Sequence, residues 1–431
     1  MRVIGGCCVL VALVVGLGGC GEPVEPSLPD PGRFTFEPTG EIVVSDPTVW
    51  VVRYEAGTTG IEAGGRLLFR FPHPYSFMWP RNWFPKMDAD GRVPVTATAS
   101  SRVKVDIVAS TRGWHDHAVE AVLPEGLGAG EILILTVGTG ASDDPSLAPR
   151  FSSAAFAPVL LADVTGDERF VWVPTDDSVA VRAAGPERVE LIVPSQARIG
   201  SPVSVTVRLR DSFGNIASPA GRVNVELWLE NAPQERVEVS FAEKGPGWLR
   251  IDGPVPGETG VVRVLGRSDL SDGEVYSNPV RILEDEPGLM VFWADLHGHS
   301  QQSDGCGPAD EYYRFARGPA ALDVAALSDH EWQLDAEEWA EKQRLCRAYD
   351  EPSGFVPYLA WEYSLGGHRV VYAKDCGYLP PRAAFDGPKE LWQVEYNHAQ
   401  IHAWSQDDTG RALRDWGDPV SYTHLRAHET R

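Results

Sequence analysis

Between Val189 and Leu283 apolar side chains recur at every second position: Val203, Val205, Val207 and Leu209 in one run, Val223, Val225, Leu227 and Leu229 in another. In an extended chain a period of two gathers each run on one face, whereas a helix would scatter it around the axis. Residues 189–284 therefore read as half-buried strands, with Asp211-Ser212-Phe213-Gly214-Asn215 as a turn between the two runs. Upstream, residues 34–185 are rich in Val, Thr, Gly and Pro with little helical periodicity, as in Val95 to Thr98, Val103 to Val108 and Ile132 to Val137. That composition predicts a second all-β region.

The pattern breaks at Glu284-Asp285-Glu286-Pro287-Gly288, and after Met290 strands and helices alternate. Val291 to Leu296 reads as a strand. Pro308, with Asp310 and Glu311 behind it, opens a helix that Gly318-Pro319 closes. Leu322 to Leu327 is the next strand, Asp335 to Tyr349 a helix with Trp339, Gln343 and Cys346 along one line, and Phe355 to Ala360 a third strand. A β-α-β-α-β order builds a parallel sheet or a barrel. The fold class expected is multidomain, with sandwich-like β regions first and an α/β unit, residues 289–419, last.

Chemistry-bearing residues gather in this last unit. His297 and His299 are two apart, so at a strand end they share a face. Asp304 follows in a glycine-bounded loop, Asp329-His330 ends the second strand, Glu362 ends the third, and His368 begins the next extended segment. Ligands at the C-terminal ends of successive strands are how α/β barrels build active sites. Imidazoles mixed with carboxylates suit zinc, manganese or iron. Asp295 shares the face of His297 one step deeper and is assigned an orienting role. His115 and His117 lack a companion carboxylate cluster, and the aromatic tract from Phe71 to Pro85 reads as core or packed loop.

The run Asp295-Leu296-His297-Gly298-His299, then Ser303-Asp304-Gly305, Ser328-Asp329-His330 and a strand-ending Glu362, resembles the PHP (polymerase and histidinol phosphatase) domain from Trp293 to about Ala373. It is most similar to an exported subgroup, DUF3604. The resemblance implies a distorted (β/α)7 barrel, here truncated, that holds two or three divalent metals (Zn, Mn or Fe) and hydrolyses phosphate esters. It implies His297, His299, His330 and Glu362 as ligands, Asp304 and His368 as further candidates, and Asp329 as a ligand or as the group that orients His330. The later histidine segment and terminal Asp-x-His of that family are not visible; His398 and His402, four apart, read as a helical pair with packing roles. Residues 189–284 resemble bacterial immunoglobulin-like modules.

The ends carry their own signals. Arg2, the apolar run Val3 to Leu17 and Leu17-Gly18-Gly19-Cys20 resemble a bacterial lipoprotein signal, residues 1–19, with Cys20 the lipid-modified N-terminus. Gly21 after the cysteine points to the outer membrane of the cell envelope, and the proline-bearing stretch 20–33 is a tether. Residues 420–431 look like translated adapter sequence, which makes the chain a fragment and its catalysis weak by expectation. The charge of −23 argues against a nucleic-acid partner, and no long apolar run after Cys20 suggests a transporter. Cys306, Cys346 and Cys376 allow one disulfide of open connectivity.

With neither a Walker loop nor a Gly-x-Ser-x-Gly elbow, metal-activated water acting on a small phosphate ester is the leading mechanism. An amidohydrolase-type hydrolase is the nearest alternative, and an envelope binding or scaffold lipoprotein with a remnant PHP domain the other.

Overall fold

The computed structural model describes residues 29–71, 95–110, 118–138, 148–286 and 289–363 except 304, 306, 332, 333, 335, 352 and 353, together with the strands Arg369–Ala373 and Ala399–Ala403. Cys20, the aromatic tract beyond Phe71, His115, His117, His398 and residues 420–431 lie outside them. Strands dominate.

Among the described residues, three sheets share one core in the first region. Strands Arg33–Glu37, Trp50–Glu55, Ile132–Val137 and Val95–Ala99 form an antiparallel sheet in that order. In Trp50–Glu55 every second residue faces inward, as the period-two rule demands, so Trp50, Val52 and Tyr54 are buried. Trp50 meets Phe71 at 5.2 Å between ring centroids, and Phe71 meets Phe156 edge-on at 5.3 Å. Offset aromatic contacts of this kind add to the burial of area.

The second region is a β-sandwich. Val205, Val207 and Leu209 on Ser204–Arg210 face Val225, Leu227 and Leu229 on Val223–Leu229 across one core that runs from Val189 to Ile282. The turn at Asp211 does more than reverse the chain. The buried Asp211 carboxylate accepts the backbone N–H groups of Phe213, Asn215 and Ala184. Asn215 then donates to the Arg150 carbonyl at 2.7 Å and accepts the Ser152 N–H at 2.9 Å, which ties the two β regions together.

In the third region β1 (Ala294–Gly298), β2 (Val324–Leu327) and β3 (Val356–Tyr363) are parallel, joined by α1 (Ala309–Arg317) and α2 (Ala336–Tyr349). The sheet continues antiparallel through β4 (Arg369–Ala373) and β5 (Ala399–Ala403). His402 therefore sits in a strand paired with Val370; sheet pairing overrides the helical spacing it makes with His398. Both helices pack on one face, where Ala325 and Leu327 of β2 meet Tyr313 and Leu345. Leu296, Ala326, Ala360, Val370 and Tyr372 lie together on the opposite face. The α2 stripe also departs from expectation. Trp339, Lys342, Leu345 and Cys346 are the buried residues, and Gln343 is only half-buried. Cys346 is disulfide-bonded.

The sandwich docks on the end of α1. Arg208 donates to the Pro319 carbonyl at 3.0 Å and Arg250 to the Arg317 carbonyl at 2.9 Å, placing two cations at the negative end of a helix dipole. Gly318 allows the approach, because a Cβ there would stand 2.9 Å from the Trp248 ring. Among the described residues no helix is long and apolar enough to cross a membrane.

Candidate metal centre

Three imidazoles converge on one carboxylate. His299 Nε2 lies 2.8 Å from Glu362 Oε2, His297 Nε2 lies 3.6 Å from it and His330 Nδ1 3.7 Å. Ligand atoms of His297, His299 and Glu362 all fall within 4.8 Å of one another. The His299 ring stands 5.0 Å from that of His297 and 4.7 Å from that of His330, edge-on to the latter. Side-chain exposure grades from 3% at Glu362 through 9% at His330 and 15% at His299 to 43% at His297. The cluster is thus buried at its carboxylate and open at His297.

Strand geometry sets this arrangement. Glu362 shares the face of Ala360, away from the helices, by the period of two along β3. A parallel bridge aligns His330 with Glu362, with Glu362 N donating to the Asp329 carbonyl at 3.0 Å and Glu331 N to the Glu362 carbonyl at 3.2 Å. In β1 a register shift between Asp295 and Gly298 brings Gly298 opposite Leu327, and Ser328 N donates to the Gly298 carbonyl at 2.7 Å. Gly298 has to be glycine: a Cβ would stand 2.5 Å from the ring of Tyr312. The Tyr312 hydroxyl is anchored by donating to the Ala326 carbonyl at 3.0 Å. Asp295 accepts the His297 N–H at 3.3 Å and so orients its backbone.

Burial alone would raise the Glu362 carboxyl. The hydrogen bond from His299 and the charges of His297, His299 and His330 outweigh it and hold the group below the usual carboxylate range.

The structure gives Asp329 a position different from a ligand's. Its carboxylate is out of solvent, with Oδ2 taking the Lys342 ammonium at 2.8 Å and Oδ1 taking Ser300 N at 2.6 Å, Ser300 Oγ at 3.0 Å and Ser303 Oγ at 2.8 Å. Burial pushes the carboxyl up, but Lys342 and these donors prevail and the net direction is down. His297, His299, His330 and Glu362 are brought together, Asp329 stands behind them, and Asp304 and His368 lie outside the described residues.

Sequence reading missed Lys342, Ser300, Ser303, Ser328 and Tyr312. A trace of Lys342 was there, three residues after Trp339 and four before Cys346, on the buried stripe of α2. Ser328 Oγ lies 3.3 Å from His297 Nδ1 and Ser303 Oγ 3.5 Å from His299 Nδ1. Hydroxyls behind the rings are contacts that only the folded chain creates.

No family model matches the chain. An uncharacterized protein of Chlamydia pneumoniae is 26% identical over 256 residues, 57% of this chain and 40% of that protein. An uncharacterized protein of Chlamydia trachomatis serovar D is 25% identical over 198 residues, 44% of this chain and 31% of its own length. The chain thus spans less than half the length of these curated relatives. Among solved structures, the Escherichia coli adhesin FdeC matches 59% of this chain and 64% of its own at 14% identity, with a TM-score of 0.23. The FN1-FN3 domains of chicken CNTN1 match 62% and 69% at 10% identity, also with a TM-score of 0.23. Scores of that size leave the fold to be read from the chain's own strand pairing.

Proposed function

We propose that the third region is the opening part of a metal-dependent phosphoesterase on a PHP-type barrel frame, acting on a small phosphate ester. The observation that carries this reading is the convergence of His297, His299 and His330 on the buried Glu362 at adjoining strand ends. The donor set, imidazole nitrogens and one carboxylate, fits zinc, manganese or iron. These four residues would hold the cation, and Asp304 and His368 would extend the set toward the two or three metals of the family. When bound, a divalent cation supplies Lewis-acid stabilisation of developing charge and acidifies a water.

The chain's own residues do the rest. Glu362 brings negative charge into a site it shares with three imidazoles. Asp295 holds the backbone of His297. The exposed edge at His297 is the side from which a small substrate enters. Both helices lying on one face of the parallel strands is the arrangement from which such a barrel starts.

The test is hydrolysis of a panel of phosphate esters and amides by the purified chain with added Mn2+, Zn2+ or Fe2+. Cation-dependent phosphate release that disappears in the His297→Ala/His299→Ala double variant supports the reading. Amide cleavage would reassign the site to an amidohydrolase-type reaction. Absence of turnover with substoichiometric metal would leave an envelope binding or scaffold protein. The same proposal places the protein at the bacterial envelope, anchored through Cys20, on the strength of Leu17-Gly18-Gly19-Cys20 behind an apolar run. Fatty-acid labelling that is lost in Cys20→Ala tests the anchor.

A further inference from the structure

Behind the candidate metal centre lies a chain of polar contacts that begins in the interior of a helix. Lys342 on α2 and Asp329 after β2 are both fully excluded from solvent. The ammonium donates to Asp329 Oδ2 at 2.8 Å and to the Leu327 carbonyl at 3.0 Å. Asp329 Oδ1 receives the Ser303 hydroxyl at 2.8 Å, and Ser303 Oγ stands 3.5 Å from His299 Nδ1. A buried ion pair is a weak source of stability, because desolvating two charges offsets most of their attraction. Its presence directly behind a histidine cluster calls for a role in orientation.

Proton counting supplies that role. A serine hydroxyl has one proton and can donate only once. An ionised carboxylate is acceptor-only, so between Asp329 and Ser303 the serine must donate. Ser303 Oγ is then left with lone pairs toward His299, and a stable contact requires Nδ1 to carry the hydrogen. In the metal-free chain Nε2–H donates to Glu362 at 2.8 Å; an arriving cation would replace that proton on Nε2, while Nδ1 keeps its hydrogen toward Ser303. His297 lacks this directionality. Ser328 Oγ lies 3.3 Å from His297 Nδ1 and equally 3.3 Å from the Gly298 carbonyl, so its single proton has two destinations.

We propose that the buried Lys342 and Asp329 and the half-buried Ser303 form a relay that fixes the ring orientation and tautomer of His299, with Nδ1–H on Ser303 and Nε2 toward the metal position. The three are positioning residues, and Asp329 acts through Ser303 instead of as a ligand. Ser300 joins the same carboxylate through its N–H and hydroxyl and holds the loop after His299 in place. The relay rests on the reading of the cluster as a metal centre.

The test uses the full chain loaded with Co2+ alone. Paramagnetic cobalt shifts the exchangeable ring N–H protons of its histidine ligands far from the protein envelope in the proton NMR spectrum, one resonance per ligand ring. Ser303→Ala is expected to remove one such resonance or speed its exchange at least about tenfold and to weaken Co2+ binding about tenfold. Ser303→Thr, which keeps the hydroxyl, restores both. Ser328→Ala affects a different resonance. Because Lys342→Met strands a buried carboxylate and endangers folding, the milder serine variants carry the decision. Retention of every N–H resonance and of full Co2+ affinity in Ser303→Ala overturns the relay while the metal centre stands. Failure of the unmodified chain to take up Co2+ overturns both.

Discussion

Lys342 and Asp329 face each other at 2.8 Å with neither side chain exposed to solvent. They join the middle of α2 to the end of β2, where His330 begins its approach to Glu362. Removing the ammonium leaves an uncompensated carboxylate in the interior. Lys342→Met is therefore expected to lower stability by about 3–5 kcal/mol, read as a fall in the urea midpoint with the slope unchanged.

The end of β1, between the two histidines, rests on an aromatic ring. A methyl group at Gly298 would stand 2.5 Å from Tyr312 Cε2, so Gly298→Ala should cost about 1–3 kcal/mol as an overpacking change. Combining it with Tyr312→Ala should be clearly non-additive, since both act on one contact. A double-mutant cycle on thermal unfolding checks this.

Acid should weaken the centre in a defined window. The folded-state Glu362 carboxyl titrates below its ordinary value, so its contribution to stability is fully present above the unfolded glutamate range, about 4.3. It is lost as the pH falls through the lowered folded value. Glu362→Gln should flatten that acid limb in urea midpoints taken between neutral pH and about 3.

The two β regions should behave as one body because Asn215 bridges them. Its side chain spans the Arg150 carbonyl at 2.7 Å and the Ser152 N–H at 2.9 Å. Asn215→Ala leaves both groups without that bridge and should cost about 1–3 kcal/mol. Limited proteolysis should show faster cleavage between the two β regions.

The parts of the fold written as periodicity were legible before any coordinates. Val203 to Leu209 and Val223 to Leu229 alternate because one face of each strand packs into the sandwich core while the other carries mainly polar side chains, and the observed strands follow them. The order β1, α1, β2, α2, β3 was equally plain from Pro308, Gly318-Pro319 and the short apolar runs. His297, His299 and Glu362 stood out because their residue types are rare together. What stayed hidden depends on long-range packing. Lys342 reads as a solvated helix charge until Asp329 is placed beside it, and Ser303 acquires meaning only through its distances to Asp329 and His299. His402 was misread because a spacing of four imitates a helix while β4 supplies a strand partner. Asp329 belongs to the motif but turns to Lys342, a choice that burial makes and spacing does not record.

The most direct test of the metal centre is calorimetric titration of the dialysed chain with Zn2+ or Mn2+, compared with the His297→Ala/His299→Ala variant. Saturable uptake of at least one ion per chain, reduced at least about 100-fold in the variant, is the expected result. Equal uptake by both proteins, or none by either, would contradict it.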